Sequence, residues 1–196
     1  MTKKTDITRS DIWPMERYEK ERKSLRKQLM EAKRHRRLAV GPVCTFYFEN
    51  YETMWAQVHE MLYIERGGEE QIEDELSAFN PLVPKGRNLS ATVMFEIDDR
   101  VRRNAFLAKL GGIEETAFFE LGEQRILGVP EEDLDRTTAD GKASSVQFIH
   151  FHFDPAQIEL FRQVGGRVIL GFTHPQYAHM AVLPEATRAA LAGDFA

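Results

Sequence analysis

The sequence predicts an α+β protein with a mainly antiparallel or mixed sheet and short helices, preceded by a long basic N-terminal helix. Residues 145–153 support the sheet, because this short run is apolar and rich in aromatic and β-branched side chains. Such a run is typical of a central strand that is buried on both faces. A plan of strand, aspartate cap, short helix, Gly-Gly pair and strand occurs twice, at 89–121 and at 145–173. Residues 1–37 add a strongly basic segment whose apolar side chains have helical spacing.

Composition limits the organisation and the location of the chain. Its 196 residues, 42% of them hydrophobic, are enough to bury one substantial core, so we expect a basic helical arm at 1–37 and a single α+β domain at 38–196. Cys44 is the only cysteine, which excludes an intramolecular disulfide and fits a reducing cytoplasm. The longest uncharged apolar run, 38–48, has 11 residues and is too short to span a bilayer. We therefore expect a soluble cytoplasmic protein without a membrane partner.

The formal net charge of −5 hides an asymmetry between these two segments. Residues 1–37 hold 13 Lys and Arg against 6 Asp and Glu, which gives +7, whereas residues 38–196 hold 13 against 25, which gives −12. Three explanations fit this distribution: an arm that binds nucleic acid, a helix that docks on a partner, or charge complementarity within the chain.

The basic segment is predicted to form one helix from a cap at Ser10 or Asp11 to about Arg36. A narrow apolar stripe follows helical spacing through Ile12, Met15, Tyr18, Leu25 and Leu29. The other faces are charged, and few aromatic side chains are interleaved with the basic ones, which disfavours nucleic-acid binding. We expect the helix to be an electrostatic docking element. Its candidate binding residues are Lys23, Arg26 and Lys27.

A second helix is predicted to start near Tyr51 and to stop at the glycines 67–68, after a strand at 38–48 that Gly41-Pro42 interrupts. Helical spacing places Glu65 within its apolar face and Glu52 at the edge of that face. A glutamate in the last turn more often reaches water or pairs with an arginine, so Glu65 has a structural and a functional interpretation. The candidate binding residues of this helix are Glu52, Glu65 and Arg66.

The later elements follow the same signals, with Asp98 or Asp99 and Asp154 as helix caps and polar loops between the elements. In order they are a loop at 81–87, a strand at 89–97, a short helix before Gly111-Gly112, a hairpin around 122–125, a loop at 130–142, the strand at 145–153, a short helix before Gly165-Gly166, strands at 167–172 and 178–183, and a last helix at 184–191.

The known catalytic motifs are absent from the sequence. It has no phosphate-binding glycine loop, no dinucleotide fingerprint, no nucleophile elbow and no His-Glu-x-x-His pair. Cys44 lies in an apolar strand, where a buried inert thiol is the usual case. His150 and His152 share one strand face and could bind a divalent metal ion if His174 supplied a third ligand. Structural histidines and acid–base chemistry are the alternatives, so the cofactor stays open.

Five phrases of the sequence resemble those of a bacterial family of uncharacterised proteins. They are LAVGP at 38–42, FENYET at 48–53, EMLYIER at 60–66, FNPLVP at 79–84 and THPQY at 173–177. Members of this family are often encoded beside rubrerythrin-like di-iron proteins and iron–sulfur proteins similar to heterodisulfide reductase subunits, which implies a protein partner of one of these types. The resemblance carries over no catalytic residue. Its last phrase contains His174 and Tyr177, which are the candidate binding residues of that turn.

We therefore expect a non-catalytic accessory or docking partner in an iron-dependent redox or peroxide-stress system, as the resemblance implies. A metal- or small-molecule-binding enzyme that uses Glu52, Glu65 and His174 is the first alternative. Nucleic-acid binding through the basic helix is the second. The sequence leaves the substrate, the identity of the partner and the oligomeric state open.

Overall fold

Most of the strands and helices that the sequence predicts recur in a computed structural model, which describes residues 4–131, 137–138, 141–163 and 165–196. The α-helices in these residues are α1 Met15–Lys33, α2 Tyr51–Glu65, α3 Gln71–Phe79, α4 Arg100–Leu107, α5 Pro155–Arg162 and α6 Glu185–Ala192. The strands are β1 Arg37–Ala39, β2 Cys44–Glu49, β3 Asn88–Phe95, β4 Ala117–Leu121, β5 Gln124–Pro130, β6 Val146–His152, β7 Val168–Phe172 and β8 Met180–Val182.

The eight strands form one antiparallel sheet in the order β1-β2-β3-β6-β5-β4-β7-β8, which confirms the α+β class and decides between the antiparallel and mixed alternatives. The sheet curls into a nearly closed barrel. Phe46 on β2 and Phe172 on β7 lie near opposite ends of the strand order, yet their ring centroids are only 5.2 Å apart. Because side chains alternate between the faces of a strand, every second residue can enter this aromatic interior.

Strand β6 is central in the sheet, but the prediction that both of its faces are buried is wrong. Gln147, Ile149 and Phe151 point into the barrel and are buried, whereas His150 is half-buried and His152 is exposed. The physical reason is that only the inner face of an antiparallel barrel is fully enclosed, so the outer face can carry polar side chains.

Helices α2 and α3 build a second apolar cluster on the outside of the sheet. Its buried members are Ile7, Met54, Val58, Leu62, Ile72, Leu76, Leu82 and Val83. Phe148 on the outer face of β6 packs against this cluster, so the cluster ties the helices to the sheet. Helices α5 and α6 contribute to the barrel core instead, through Phe161 and Leu191.

The repeated plan of strand, cap and short helix is confirmed, with one correction. Asp99 and Asp154 cap α4 and α5 by accepting hydrogen bonds from the third helical N–H. Gly112 and Gly165 both have a φ of 78°, as a left-handed turn requires. They lie a short turn beyond the helix ends, however, and the residues directly after α4 and α5 are Ala108 and Gln163.

The first helix is shorter than predicted, and a long basic helix that opens at residue 10 or 11 is wrong. Residues Arg9–Asp11 form a 3-10 turn, and α1 begins only at Met15, directly after Pro14. Proline cannot donate a backbone hydrogen bond, so it separates the turn from the helix. At the other end, Arg36 leaves the helix because its guanidinium donates to the Phe48 and Glu49 carbonyls, each at 3.0 Å, and pairs with Asp194.

Candidate functional site

A groove beside Pro81, which we name the Pro81 groove, is the first candidate site. It consists of a cavity of about 430 Å³ and a cavity of about 500 Å³, which share Pro81 and Glu131. The smaller cavity has a polar lining that includes Lys85, Arg87, Asn88, His150 and His152. The larger cavity is lined mainly by Ser77, Ala78, Phe79, Leu82 and Phe148, with Asp74 at its edge. The groove therefore joins a polar half to an apolar half.

The N-terminal segment holds the Pro81 turn in place. The Asn80 side chain accepts a hydrogen bond from the Ile7 N–H at 2.7 Å and donates one to the Ile7 carbonyl at 2.9 Å. The Lys85 ammonium binds the Asp6 carboxylate and the Thr5 carbonyl, the latter at 2.6 Å. Lys85 therefore has an acidic partner within the chain, in an ion pair that is exposed to solvent.

A chain of hydrogen bonds crosses the floor of the polar half. Asn88 Nδ2 lies 3.2 Å from Ser90 Oγ, Ser90 Oγ lies 3.0 Å from His150 Nδ1, and His150 Nε2 lies 2.7 Å from Glu131 Oε2. Since a carboxylate can only accept, His150 Nε2 donates to Glu131, and in the neutral imidazole Nδ1 is then left to accept from the Ser90 hydroxyl. Ser90 is completely buried, so this array lacks an accessible nucleophile despite its Ser-His-Glu composition.

Two basic side chains of the polar half have no polar partner. The guanidinium of Arg87 is exposed and makes no hydrogen bond or ion pair with any described residue. The His152 imidazole is exposed as well and contacts the His150 ring, with centroids 6.5 Å apart, but its nitrogens bond to none of the described residues. Register places His152, at the end of β6, opposite Asn88 at the start of β3, and Arg87 directly precedes Asn88.

The exposed face of α1 is the second candidate site, and we call it the basic face. Lys23, Arg26 and Lys27 are exposed there and form no ion pair in the described part of the chain. The helix is attached elsewhere, because Arg22 makes two hydrogen bonds to Glu60 on α2, at 2.7 and 2.9 Å, and Tyr18 donates to the same carboxylate at 2.8 Å. The Arg22 guanidinium lowers the pKa of Glu60, which keeps this carboxylate charged.

The predicted residues of the second helix lie at its surface. Glu65 is exposed and accepts a hydrogen bond from Gln71 Nε2 at 2.7 Å, which matches the structural interpretation of a glutamate at a helix end. Arg66 follows with a φ of 56° and ends α2 in the left-handed conformation. Glu52 is exposed and lines a separate cavity of about 320 Å³ together with Lys4 and Tyr51. The structure therefore does not bring Glu52 and Glu65 into the Pro81 groove.

His174 and Tyr177 are buried in the turn after β7. His174 Nε2 lies 3.2 Å from the Gly111 carbonyl, and its Nδ1 accepts from the Gln176 N–H at 3.2 Å. The Tyr177 hydroxyl donates to the Val40 carbonyl at 2.9 Å, and burial raises the pKa of Tyr177 to about 12. Within the described residues, no group of three or more His, Cys, Asp and Glu side chains could hold one metal ion. His150 and His152 are neighbours, whereas His174 does not join them.

Three positions that sequence reasoning did not select carry buried polar interactions. His59 is completely buried between Trp13 and Trp55, and burial lowers the pKa of its imidazole. The Arg36–Asp194 ion pair is also buried. For His59, Trp55 lies one helical turn earlier on α2 and was a usable local signal. The partners Arg36 and Asp194 are too far apart in the chain for any local pattern to connect them.

Cys44 is buried as predicted, and burial raises the pKa of its thiol.

The fold defines an α+β protein built on an eight-stranded, antiparallel and nearly closed sheet, with α2 and α3 packed on its outer surface. The chain belongs to the family described as "Protein of unknown function (DUF3501)", whose model matches residues 6–195. It is also similar to the crystal structure of a novel protein of unknown function from Burkholderia pseudomallei K96243. The two are 34% identical, with a TM-score of 0.89, and the match covers 97% of this chain and 99% of the other.

These similarities confirm the resemblance to an uncharacterised bacterial family, whereas the neighbouring genes stay a prediction. No curated protein matches the chain. None of the helices in the described part of the chain combines the length and the apolar character that crossing a bilayer requires.

Proposed function

We propose that the protein is a non-catalytic docking protein that engages an acidic surface of a partner protein through the basic face of α1. The observation that carries this proposal is that some side chains of α1 attach the helix to the fold, whereas others are exposed. Tyr18 and Arg22 attach α1 to α2, whereas Lys23, Arg26 and Lys27 are exposed and form no ion pair with a described residue. Charge complementarity within the chain would need ion pairs from all three side chains, whereas only Arg26 lies near enough to a described carboxylate, that of Glu60, to lower its pKa.

The physical effect of such a face is long-range attraction. Unpaired surface charges steer an oppositely charged partner and raise the association rate, and they are screened as the ionic strength rises. Tyr18 and the Arg22–Glu60 ion pair hold the helix in place before a partner arrives. Binding therefore costs little conformational entropy.

The family resemblance provides the setting of the proposal. We propose that the partner is a rubrerythrin-like or an iron–sulfur protein in an iron-dependent redox or peroxide-stress system of the cytoplasm. A non-catalytic role is supported by the burial of Ser90 and Cys44, since a nucleophile must be accessible to its substrate. The basic face lacks interleaved aromatic side chains, which favours a protein partner over single-stranded nucleic acid.

The test is an association rate against a purified neighbouring rubrerythrin-like or iron–sulfur protein at several salt concentrations. The variant Lys23→Glu/Arg26→Glu/Lys27→Glu should associate more slowly, and the difference should shrink with added salt. Its matched control is Arg100→Glu/Arg102→Glu/Lys109→Glu, which makes the same charge change at exposed positions in and after α4. Equal rates for both variants at low salt would refute the basic face as the docking element. Salt-dependent binding to generic duplex DNA, lost in the α1 variant, would instead support nucleic-acid binding.

A further inference from the structure

We infer that the Pro81 groove binds a small amphipathic carboxylate, with its carboxylate on Arg87 and His152 and its apolar body against Phe79, Leu82 and Phe148. The groove shares no residue with the basic face of α1, so this inference is independent of the docking proposal.

The charge distribution selects a single anionic group for the polar half. Lys85 pairs with Asp6, and the Glu131 carboxylate accepts a hydrogen bond from His150 Nε2. Arg87 is then the one unpaired guanidinium among the described residues that line the groove. A guanidinium presents parallel N–H donors that match the two oxygens of a carboxylate, and the exposed His152 ring can add a further donor.

The acidic residues of the groove disfavour a more highly charged ligand. Glu131 lines both cavities and Asp74 lines the larger one, so a second negative charge on the ligand would be repelled by carboxylates of the groove. A carboxylate carries only one charge, which Arg87 can balance. We therefore commit to a carboxylate, and we expect a phosphate with the same apolar body to bind less tightly.

The two halves of the groove are held in position before any ligand arrives. The Lys85 N–H donates to Asn88 Oδ1 at 2.6 Å, the Phe153 N–H donates to the Arg87 carbonyl at 2.9 Å, and the Ala196 N–H donates to the Gly86 carbonyl at 2.9 Å. These bonds fix the turn that carries Arg87. On the apolar side, Leu82 is 2% exposed and belongs to the cluster that packs α2 and α3 on the sheet. A preorganised site of this kind loses little ordering entropy when a ligand binds.

Octanoate is the probe, titrated into the purified full-length protein by calorimetry and compared with acetate, 1-octanol and octyl phosphate. We expect octanoate to bind more tightly than each of the other three. Acetate lacks the apolar body, 1-octanol lacks the charge, and octyl phosphate carries a second charge. Absence of octanoate binding would overturn the inference, and so would equal or tighter binding of octanol or octyl phosphate.

Three variants locate the site. Arg87→Gln should weaken octanoate binding about tenfold or more, since it removes a charge-assisted contact at similar length. Ala78→Phe adds a ring at an exposed helix position beside the apolar cavity and should abolish binding while the circular dichroism spectrum stays unchanged. Arg102→Gln, an exposed arginine of α4, is the matched control and should bind like the wild type. Unchanged affinity in Arg87→Gln, or equal losses in Arg87→Gln and Arg102→Gln, would place any octanoate elsewhere.

Discussion

The Nε2 atom of His59 accepts a hydrogen bond from the backbone N–H of Trp13 at 3.0 Å, and this bond joins helix α2 to the segment that precedes α1. The Nδ1 atom of the same ring lies 2.7 Å from the Trp55 carbonyl and must donate to it. The imidazole is therefore held in its neutral form, because a proton on Nε2 would remove the acceptor that Trp13 needs. Tyr18 packs against the ring with a centroid distance of 5.0 Å and keeps water away.

This arrangement predicts a loss of stability in mild acid. Burial lowers the pKa of His59 below its ordinary value of 6.5, so between these two pKa values the unfolded chain binds a proton that the folded chain does not. The free energy of unfolding should therefore be constant above about pH 7 and fall as the pH drops below about 6.5. Urea unfolding of the wild type and of His59→Gln across this range is the measurement. The variant should have the smaller slope, and identical slopes would contradict the assignment to His59.

The buried ion pair between Arg36 and Asp194 predicts a large loss of stability when the charge of Asp194 is removed. Asp194→Asn leaves the guanidinium of Arg36 buried beside the Phe48 and Glu49 carbonyls without its counter-charge. Breaking such a pair should lower the free energy of unfolding by about 3 kcal/mol or more. Denaturant unfolding measures the loss. The double variant Arg36→Met/Asp194→Asn should lose less than the sum of the losses in Arg36→Met and in Asp194→Asn, and strict additivity would show that the two groups do not interact.

The left-handed turn after α4 predicts a residue-specific penalty. Gly112 has a φ of 78°, and an added Cβ atom would meet no heavy atom within 4 Å, so backbone conformation alone sets the cost. Gly112→Val should destabilise by about 1 kcal/mol or more, whereas Gly112→Asn should cost less because asparagine tolerates this region. Thermal unfolding of both variants is the check. Equal melting temperatures for valine and asparagine would rule out conformational strain at this position.

The buried hydroxyl of Tyr177 predicts a structural role for this side chain. It donates to the Val40 carbonyl and lies 3.3 Å from the Val43 N–H, so it closes the β1–β2 hairpin from the opposite end of the chain. Tyr177→Phe should destabilise the fold by about 1–2 kcal/mol, because it leaves a buried carbonyl unsatisfied. Octanoate binding should be unaffected, since Tyr177 does not line the Pro81 groove. A variant with full stability would show that water or another donor replaces the hydroxyl.

The sequence was sufficient for features that depend on local patterns. Alternation along β6 correctly placed His150 and His152 on one face, and residue type predicted the cap at Asp154 and left Asp98 or Asp99 for the other, of which Asp99 is the cap. The partners of His150 could not be predicted in this way. Ser90 reaches it because β3 pairs with β6, and Glu131 reaches it from the segment after β5. Pairing between distant strands is decided by the whole sheet, which no local window contains.

Two errors concern the ends of the first helix. Spacing extended the first helix through Pro14 because Ile12 fits the apolar stripe, although proline and the 3-10 turn at Arg9–Asp11 stop it there. Arg36 was counted with the solvated charges, since nothing near it in the sequence points to Asp194. The Pro81 groove was missed for a related reason, because its two halves come from α3, the turn after it, β3 and β6.

The contact between Phe46 and Phe172 has a consequence for how fast the chain reaches its native state. The hairpins β1–β2, β4–β5 and β7–β8 can form between neighbours in the sequence, but the barrel interior needs strands from the two ends of the chain. Loop-closure entropy must be overcome before those distant contacts stabilise anything. We therefore expect this topology to place refolding in the slow range of small domains, roughly milliseconds to seconds.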